Sequence, residues 1–200
     1  MSRAPVQERA RVTRERLLAT ARQVFAEQGY ADASLEEVAE RAGVTRGPLY
    51  HYFDDKRDLF RAVYEQIESE LTAQITARVQ APAAAASDIW EQVRIGSQTY
   101  LDVCLAPDIQ RIALIDAPVV LGLGASGHLA RYGLALIREG LQRSIEQGAI
   151  AAQPVEPLAH LLRAALTEGA IYIARSDDQA KARADVGATV DRLLEGLRSA

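Results

Sequence analysis

The stretch that most restricts this chain runs from Ser34 to Leu59, SLEEVAERAGVTRGPLYHYFDDKRDL. Ser34 is followed three residues later by Glu37, a capping-box spacing that supplies acceptors to two orphaned N–H groups and starts a helix. Leu35, Val38 and Ala39 give that helix an apolar stripe. Gly43 stands just past its end, where a left-handed residue closes a helix. Thr45 is placed to cap the next helix. Pro48 falls at the third position of that helix, where no N–H has an intrahelical partner to lose. Two short capped helices around a glycine turn make a helix-turn-helix.

Within the second helix, Leu49 and Phe53 are spaced to face inward, with Val44 just ahead of them. Arg46, Gly47, Tyr50 and His51 remain for the outer side. An arginine, a glycine permitting close approach and two amphipathic rings suit the DNA major groove and its flanking phosphates. GVTRGPLYHYFDDKRDLF resembles the signature of the tetracycline-repressor (TetR) family of bacterial transcription regulators. That signature reads G-V/I-x-x-G/x-x-L/I-Y-x-H/Y-F-x-x-K-x-x-L, and here Tyr52 stands where histidine is common and Pro48 where a small residue is common. The resemblance implies DNA contacts from Ser34, Thr45, Arg46, Gly47, Pro48, Tyr50, His51 and Tyr52, with Lys56 gripping a phosphate. A surface ion pair with Asp54 or Asp58 is the other role open to Lys56.

Charge argues mildly the other way. The chain of 200 residues carries 23 Lys+Arg against 27 Asp+Glu, a formal net charge of −4. Residues 1–60 are balanced at ten of each sign, whereas Met1 to Arg16 has five arginines against Glu8 and Glu15. Docking depends on the field at the docking face rather than on the overall charge. Apolar residues make up 48% of the chain, enough for a sizeable core. A single cysteine, Cys104, excludes an internal disulfide framework and a multi-cysteine metal site. No apolar run has signal-peptide or membrane-spanning length, so a cytoplasmic protein with no membrane partner is expected.

The periodicity predicts an all-α chain in three parts: a mobile basic arm over 1–12, a helix-turn-helix domain over 13–60, and a larger helical domain over 61–200. Thr13 is placed to cap the first helix, with Leu18, Ala21 and Phe25 inward and Gly29 at its end. Asp55 caps a long fourth helix from Lys56 to about Val79. Further helices are expected from Asp88 to Ala106, over 108–117 with Pro118 as its stop, from His128 to Gln147, from Leu158 to Ala174 and from Val186 to Leu197. The glycine-rich 118–127 has no phosphate-binding context and reads as a loop.

The helix over 158–174 is apolar nearly all round and must be covered by something. Burial within one subunit is one answer. The resemblance implies the other, a homodimer in which Leu162, Leu166, Gly169, Ala170, Ile173, Val190, Leu193, Leu194 and Leu197 pack against a second copy in a four-helix bundle. It also implies a small-molecule effector in the large domain, for which Trp90, Tyr100, Cys104, His128, Tyr132 and Tyr172 are candidate linings. Each of these has an ordinary core or surface role as its alternative. Three histidines without metal-ligand spacing and no Gly-flanked serine give an enzyme little to work with, and no cofactor is expected. The expected function is a regulator binding a palindromic operator in double-stranded DNA, most readily a repressor released by its effector. A dimer acting as an activator, or a scaffold without DNA binding, is the alternative.

Overall fold

Helix signals dominate the chain, and helices are what it forms. A computed structural model describes residues 4–85, 87–122 and 131–198, with the side chains of Ala4, Pro5, Val6, Gln7, Arg46, Ala85, Arg131 and Tyr132 outside the description. Among the described residues the only strand-like pairing is one bridge between Ile150 and Arg198. The chain forms two compact units, one of Met1–Ile67 with Pro107–Ala125 and one of Glu68–Ala106 with Ser126–Ala200.

In the first unit, α1 (Ala4–Asp32) starts well ahead of the expected cap at Thr13. Arg11 binds Glu8 one turn before it and Glu15 one turn after it, spacings that support a helix. Thr13 lies inside the helix and returns its hydroxyl to the Arg9 carbonyl at 2.9 Å. The helix is broken at Gly29, where φ is +81°. Next come α2 (Leu35–Arg41), α3 (Arg46–Tyr52) and α4 (Lys56–Gln80). Asp55 caps α4, its carboxylate accepting the Asp58 N–H at 2.7 Å. Leu17, Ala21, Val24 and Phe25 from α1 are buried with Val38, Leu49, Phe53, Leu59 and Phe60. The Phe25 and Phe60 rings meet edge to face at 5.1 Å, and Tyr30 meets Phe60 likewise at 5.0 Å.

The second contribution to this unit comes from far along the chain. Pro107–Ile109 (α7) runs into a π-helical turn, Gln110–Asp116, and then into α8 (Ala117–Val120). Pro118 therefore sits inside a helical run instead of stopping it. A proline ring strikes the carbonyl four residues back in an α-helix. The wider preceding turn, in which the Ala117 N–H reaches the Ile112 carbonyl, relieves that conflict. Four polar ties hold the segment. Arg22 binds Asp108 at 2.7 Å, Asp116 accepts the Tyr30 N–H at 2.8 Å, Arg57 donates to the Val120 carbonyl at 3.0 Å, and Arg111 lies 3.4 Å from the Gln28 carbonyl.

The second unit contains the rest of α4, a short turn α5 (Pro82–Ala85), α6 (Ile89–Val103), α9 (Arg131–Glu146), α10 (Val155–Ala174) and α11 (Gln179–Glu195). Asp88 caps α6 by accepting the Glu91 N–H at 2.8 Å, and Arg198 binds the same carboxylate at 2.8 Å. That backbone N–H is the main cause holding the Asp88 carboxyl below its usual range, and the Arg198 charge adds to it. Asp178 caps α11 through the Lys181 N–H, so the last helix starts two turns before Val186. Polar ties also join α6 to α11: Gln98 to Asp191 at 2.6 Å and Arg183 to Asp102 at 2.8 Å.

The circumference of α10 is divided in a way the sequence left open. Leu162, Leu166, Ala170 and Ile173 are buried by their own chain, as are Val190 and Leu194 of α11. A Cβ at Gly169 would lie 2.8 Å from the Val186 side chain, so this glycine admits α11 of the same chain. These residues lie in the protomer's own core. Leu197 is half-buried, while Leu193 is 58% exposed. The large apolar side chains left to solvent on α10 are Leu161 at 68% and Tyr172 at 60%.

Candidate nucleic-acid interface

The helix-turn-helix is built by three local devices. At the start of α2 the Ser34 hydroxyl accepts the Glu37 N–H at 3.1 Å. Glu37 does not complete a reciprocal box in the described contacts; its carboxylate takes Gln28 at 2.6 Å and Arg41 at 2.7 Å, tying α2 to α1. At the end of α2 the Gly43 N–H bonds the Glu40 carbonyl and the Val44 N–H bonds the Ala39 carbonyl, both at 3.0 Å. This is the Schellman closure, and Gly43 takes the left-handed φ of +62° that it requires. Thr45 stands at the N-cap of α3 with extended backbone but makes no side-chain cap bond.

Two side chains lock α3 in place. Leu49 is 1% exposed and Phe53 3%, and the Arg14 guanidinium lies 5.6 Å from the Phe53 ring centroid. The opposite face is open: Thr45, Gly47, Pro48 and His51 are exposed, Tyr50 is 49% exposed and Tyr52 is half-buried. The His51 and Tyr52 rings sit 5.3 Å apart, nearly edge to face. The side chain of Arg46 lies outside the described residues.

Lys56 has a partner that sequence reasoning missed. Its ammonium donates to the Ala31 carbonyl at 3.1 Å and the Ala33 carbonyl at 2.9 Å, and lies 4.6 Å from the Tyr30 ring centroid. A cation belongs at the negative end of a helix, and the last turn of α1 supplies one. Two of its three donors thus tie α4 to α1 rather than to Asp54 or Asp58. The usable signal was the break at Gly29, which leaves carbonyls without helical partners.

The residues nominated for an effector differ in their burial. Trp90 is buried at 3% and Cys104 at 2%. Tyr100 is half-buried on α6, its hydroxyl 3.4 Å from that of Thr167 on α10 and bonded to Cys104. Burial is the main cause raising the Tyr100 phenol well above its ordinary value, and burial pushes the Cys104 thiol up to about 12. A thiol so raised is protonated at neutral pH and is a poor redox sensor. Tyr172 lies on the outer side of α10, so it lines no interior site of its own chain. His128 and the side chain of Tyr132 lie outside the described residues.

A capped helix, a left-handed glycine closure and a short second helix anchored from behind with an open front define a helix-turn-helix DNA-binding unit. Residues 17–63 match the family model for bacterial regulatory proteins of the tetR family, and residues 90–197 match that for the tetracyclin repressor-like C-terminal domain. The chain belongs to the tetR family and is a DNA-binding transcriptional regulator of that family. It is 38% identical to a TetR-family transcriptional regulator of Pectobacterium atrosepticum, whose crystal structure superposes with a TM-score of 0.83 over 100% of this chain and 99% of that one. It is 29% identical over 190 residues to the HTH-type transcriptional regulator SrpR of Pseudomonas putida, spanning 95% of this chain and 78% of SrpR. The HTH-type transcriptional regulator AcrR of Shigella flexneri is 45% identical over 71 residues, 36% of this chain and only 33% of AcrR. These relatives are transcriptional regulators. No helix among the described residues is long and apolar enough to cross a membrane.

Proposed function

We propose that the protein is a cytoplasmic repressor that binds a palindromic operator as a homodimer and is released by a small molecule, with no enzymatic activity and no cofactor. The supporting observation is α3, whose Leu49 and Phe53 are locked in the core while Gly47, Pro48, Tyr50 and His51 face solvent. Those four, with Thr45, Arg46 and Tyr52, are the DNA-contacting residues in this reading, and Ser34 holds the turn that presents them. Lys56 acts chiefly by fixing α1 against α4, with one donor left for a phosphate.

Dimerisation is assigned to the outward stripe of α10, where Leu161, Ala165 and Tyr172 repeat at helical spacing, together with Leu193 of α11. A two-fold mate doubles the grip of one recognition helix and sets the half-site spacing. An effector is assigned to the second unit, where Tyr100 and Thr167 offer hydroxyls between α6 and α10. Trp90, the one tryptophan of the chain, is buried in that unit and reports on it.

The deciding experiment is a gel shift on the DNA upstream of the protein's own gene. A specific shift by the wild type, lost in Tyr50→Ala with helix content unchanged, supports the reading. A folded dimer that shifts no specific sequence points to the scaffold alternative instead.

A further inference from the structure

Several arginines of the second unit hold a carboxylate of their own chain. Arg94 pairs with Glu91 at 2.6 Å, Arg138 with Glu156 at 2.7 Å and Arg198 with Asp88 at 2.8 Å. Arg163 on α10 is different. Its Nε is buried without a hydrogen-bond partner, and its guanidinium makes no ion pair among the described residues. We propose that Arg163 anchors a ligand site in this unit and that its ligand is an amphipathic anion, a carboxylate on an apolar body. The inference rests on the effector reading above and adds to it the chemical class of the effector.

Three observations carry the argument. The first is the place of Arg163 on its helix. Ala159, four residues before it, and Leu166, three after it, are buried, whereas Leu161, Ala164 and Ala165 are exposed. Arg163 is therefore on the inner side of α10, among apolar neighbours, and is itself half-buried. A charged donor left unpaired in such surroundings is costly, so a ligand that supplies the missing acceptor gains by it. The planar guanidinium matches a carboxylate, which can accept two parallel N–H bonds from it.

The second is a gathering of unsatisfied hydroxyls. Thr167 lies one turn after Arg163 on the same face of α10. Its hydroxyl is 3.4 Å from that of Tyr100 on α6, longer than an ordinary O–H···O bond, so the pair has bonding capacity to spare. Thr72 Oγ1 on α4 is buried with no partner at all. Glu68, Thr72, Ile75 and Val79 follow one stripe of α4. A Cβ at Gly96 of α6 would lie 3.6 Å from Ile75 and 3.5 Å from Val79, and Glu68 acts electrostatically on Tyr100, one turn further along α6. Thr72 is between those points, so it stands opposite the stretch from Gly96 to Tyr100. Polar atoms with bonds left to make thus come from α4, α6 and α10 to one region.

The third is the division of charge within that region. Burial first, and then other causes that include the Glu68 carboxylate, keep the Tyr100 phenol and the Cys104 thiol protonated. The hydroxyl end accordingly suits a neutral oxygen or an apolar body. Negative charge is disfavoured there and belongs at Arg163, one turn away.

The test is calorimetric titration of the full-length protein with 2-naphthoate and with octanoate, each beside its neutral amide. At least one acid should bind about tenfold or more tighter than its amide. Arg163→Gln should erase that preference and Arg163→Lys should keep part of it. Arg143→Gln, the same loss of charge at an exposed position of α9, should leave it whole. Without ligand, Arg163→Gln should melt at or above the wild-type temperature, because the guanidinium it removes holds nothing in place. A lower melting temperature makes Arg163 a structural residue and overturns the inference. So does a wild type that prefers neither acid to its amide, or a preference that survives in Arg163→Gln. Release from a duplex selected out of a random-sequence pool separates the two readings. An acid bound through Arg163 that leaves the protein on this duplex keeps the anion site and overturns the effector reading. An amide that releases the duplex from wild type and Arg163→Gln alike keeps the effector reading and overturns the anion site.

Discussion

The short helix α3 and the long helix α10 each bury one side and show another, but what they show differs in kind. The open face of α3 carries glycine, proline, a histidine and the half-hydrated rings of Tyr50 and Tyr52. It is stable in water as it stands, because amphipathic rings and a bare backbone lose little by exposure. The open face of α10 carries Leu161 and Tyr172, exposed by 68% and 60%, in line with Ala165. An apolar stripe in water gains free energy from any cover, at about 25 cal/mol per Å² of area removed. One helix is finished by its own chain and waits for a polar ligand, whereas the other is left unfinished by it. Two surfaces of one protein are therefore to be read by opposite criteria, polarity with a rigid backing in the first and apolarity without a cover in the second.

The comparison is broken most strongly through the residues that hold each helix. Phe53→Ala removes the inner anchor of α3 and should destabilise the protein by about 3–5 kcal/mol, read from urea unfolding, with specific DNA binding abolished. Leu166→Ala empties a site buried within α10's own protomer and should cost about 2–5 kcal/mol of monomer stability. If Leu166→Ala instead leaves monomer stability unchanged and only weakens assembly, the division of α10 into inner and outer faces is wrong.

The outer face is tested by charge. Tyr172→Glu should turn a dimer into monomers in sedimentation, a loss of at least about 2 kcal/mol of association if Tyr172 is a central contact, while helix content stays intact. A dimer that survives both Tyr172→Glu and Leu161→Glu places the contact elsewhere.

Smaller effects sharpen the comparison at the turn and the caps. Gly43→Ala should cost about 1–2 kcal/mol from its left-handed backbone alone, since a Cβ there would meet nothing within 4 Å. Ser34→Ala should cost about 1 kcal/mol, because its hydroxyl makes the cap bond. Thr45→Ala should stay within about 0.5 kcal/mol, because no such bond exists to lose, while DNA affinity falls. Equal stability losses from the two cap variants would show that Thr45 does cap α3 in solution.

What was legible in the sequence follows from the range of the interactions concerned. The cap at Ser34, the closure at Gly43, the tolerated Pro48 and the inward pair Leu49 and Phe53 each depend on residues within about one helical turn. Their chemistry is written in neighbouring letters, which is why the helix-turn-helix and the open side of α3 were readable. The start of α1 was missed for a local reason, since the pairing of Arg11 with Glu8 and Glu15 favours a helix beyond the threonine that resembled a cap.

The rest was decided by contacts between residues far apart in the chain. Lys56 found the carbonyls of Ala31 and Ala33 only because α1 and α4 pack side by side. The segment from Pro107 joined the first unit through Arg22 with Asp108 and Tyr30 with Asp116, pairs separated by 86 positions that no spacing rule reveals. An apolar helix states in its sequence that it will be covered, but not by what. Only the packed chain showed that Leu162, Leu166, Ala170 and Ile173 are covered from within and that Leu161 and Tyr172 are not. Hydrophobic burial is non-directional, so the letters alone fix how much of α10 seeks cover, and tertiary geometry decides which side receives it.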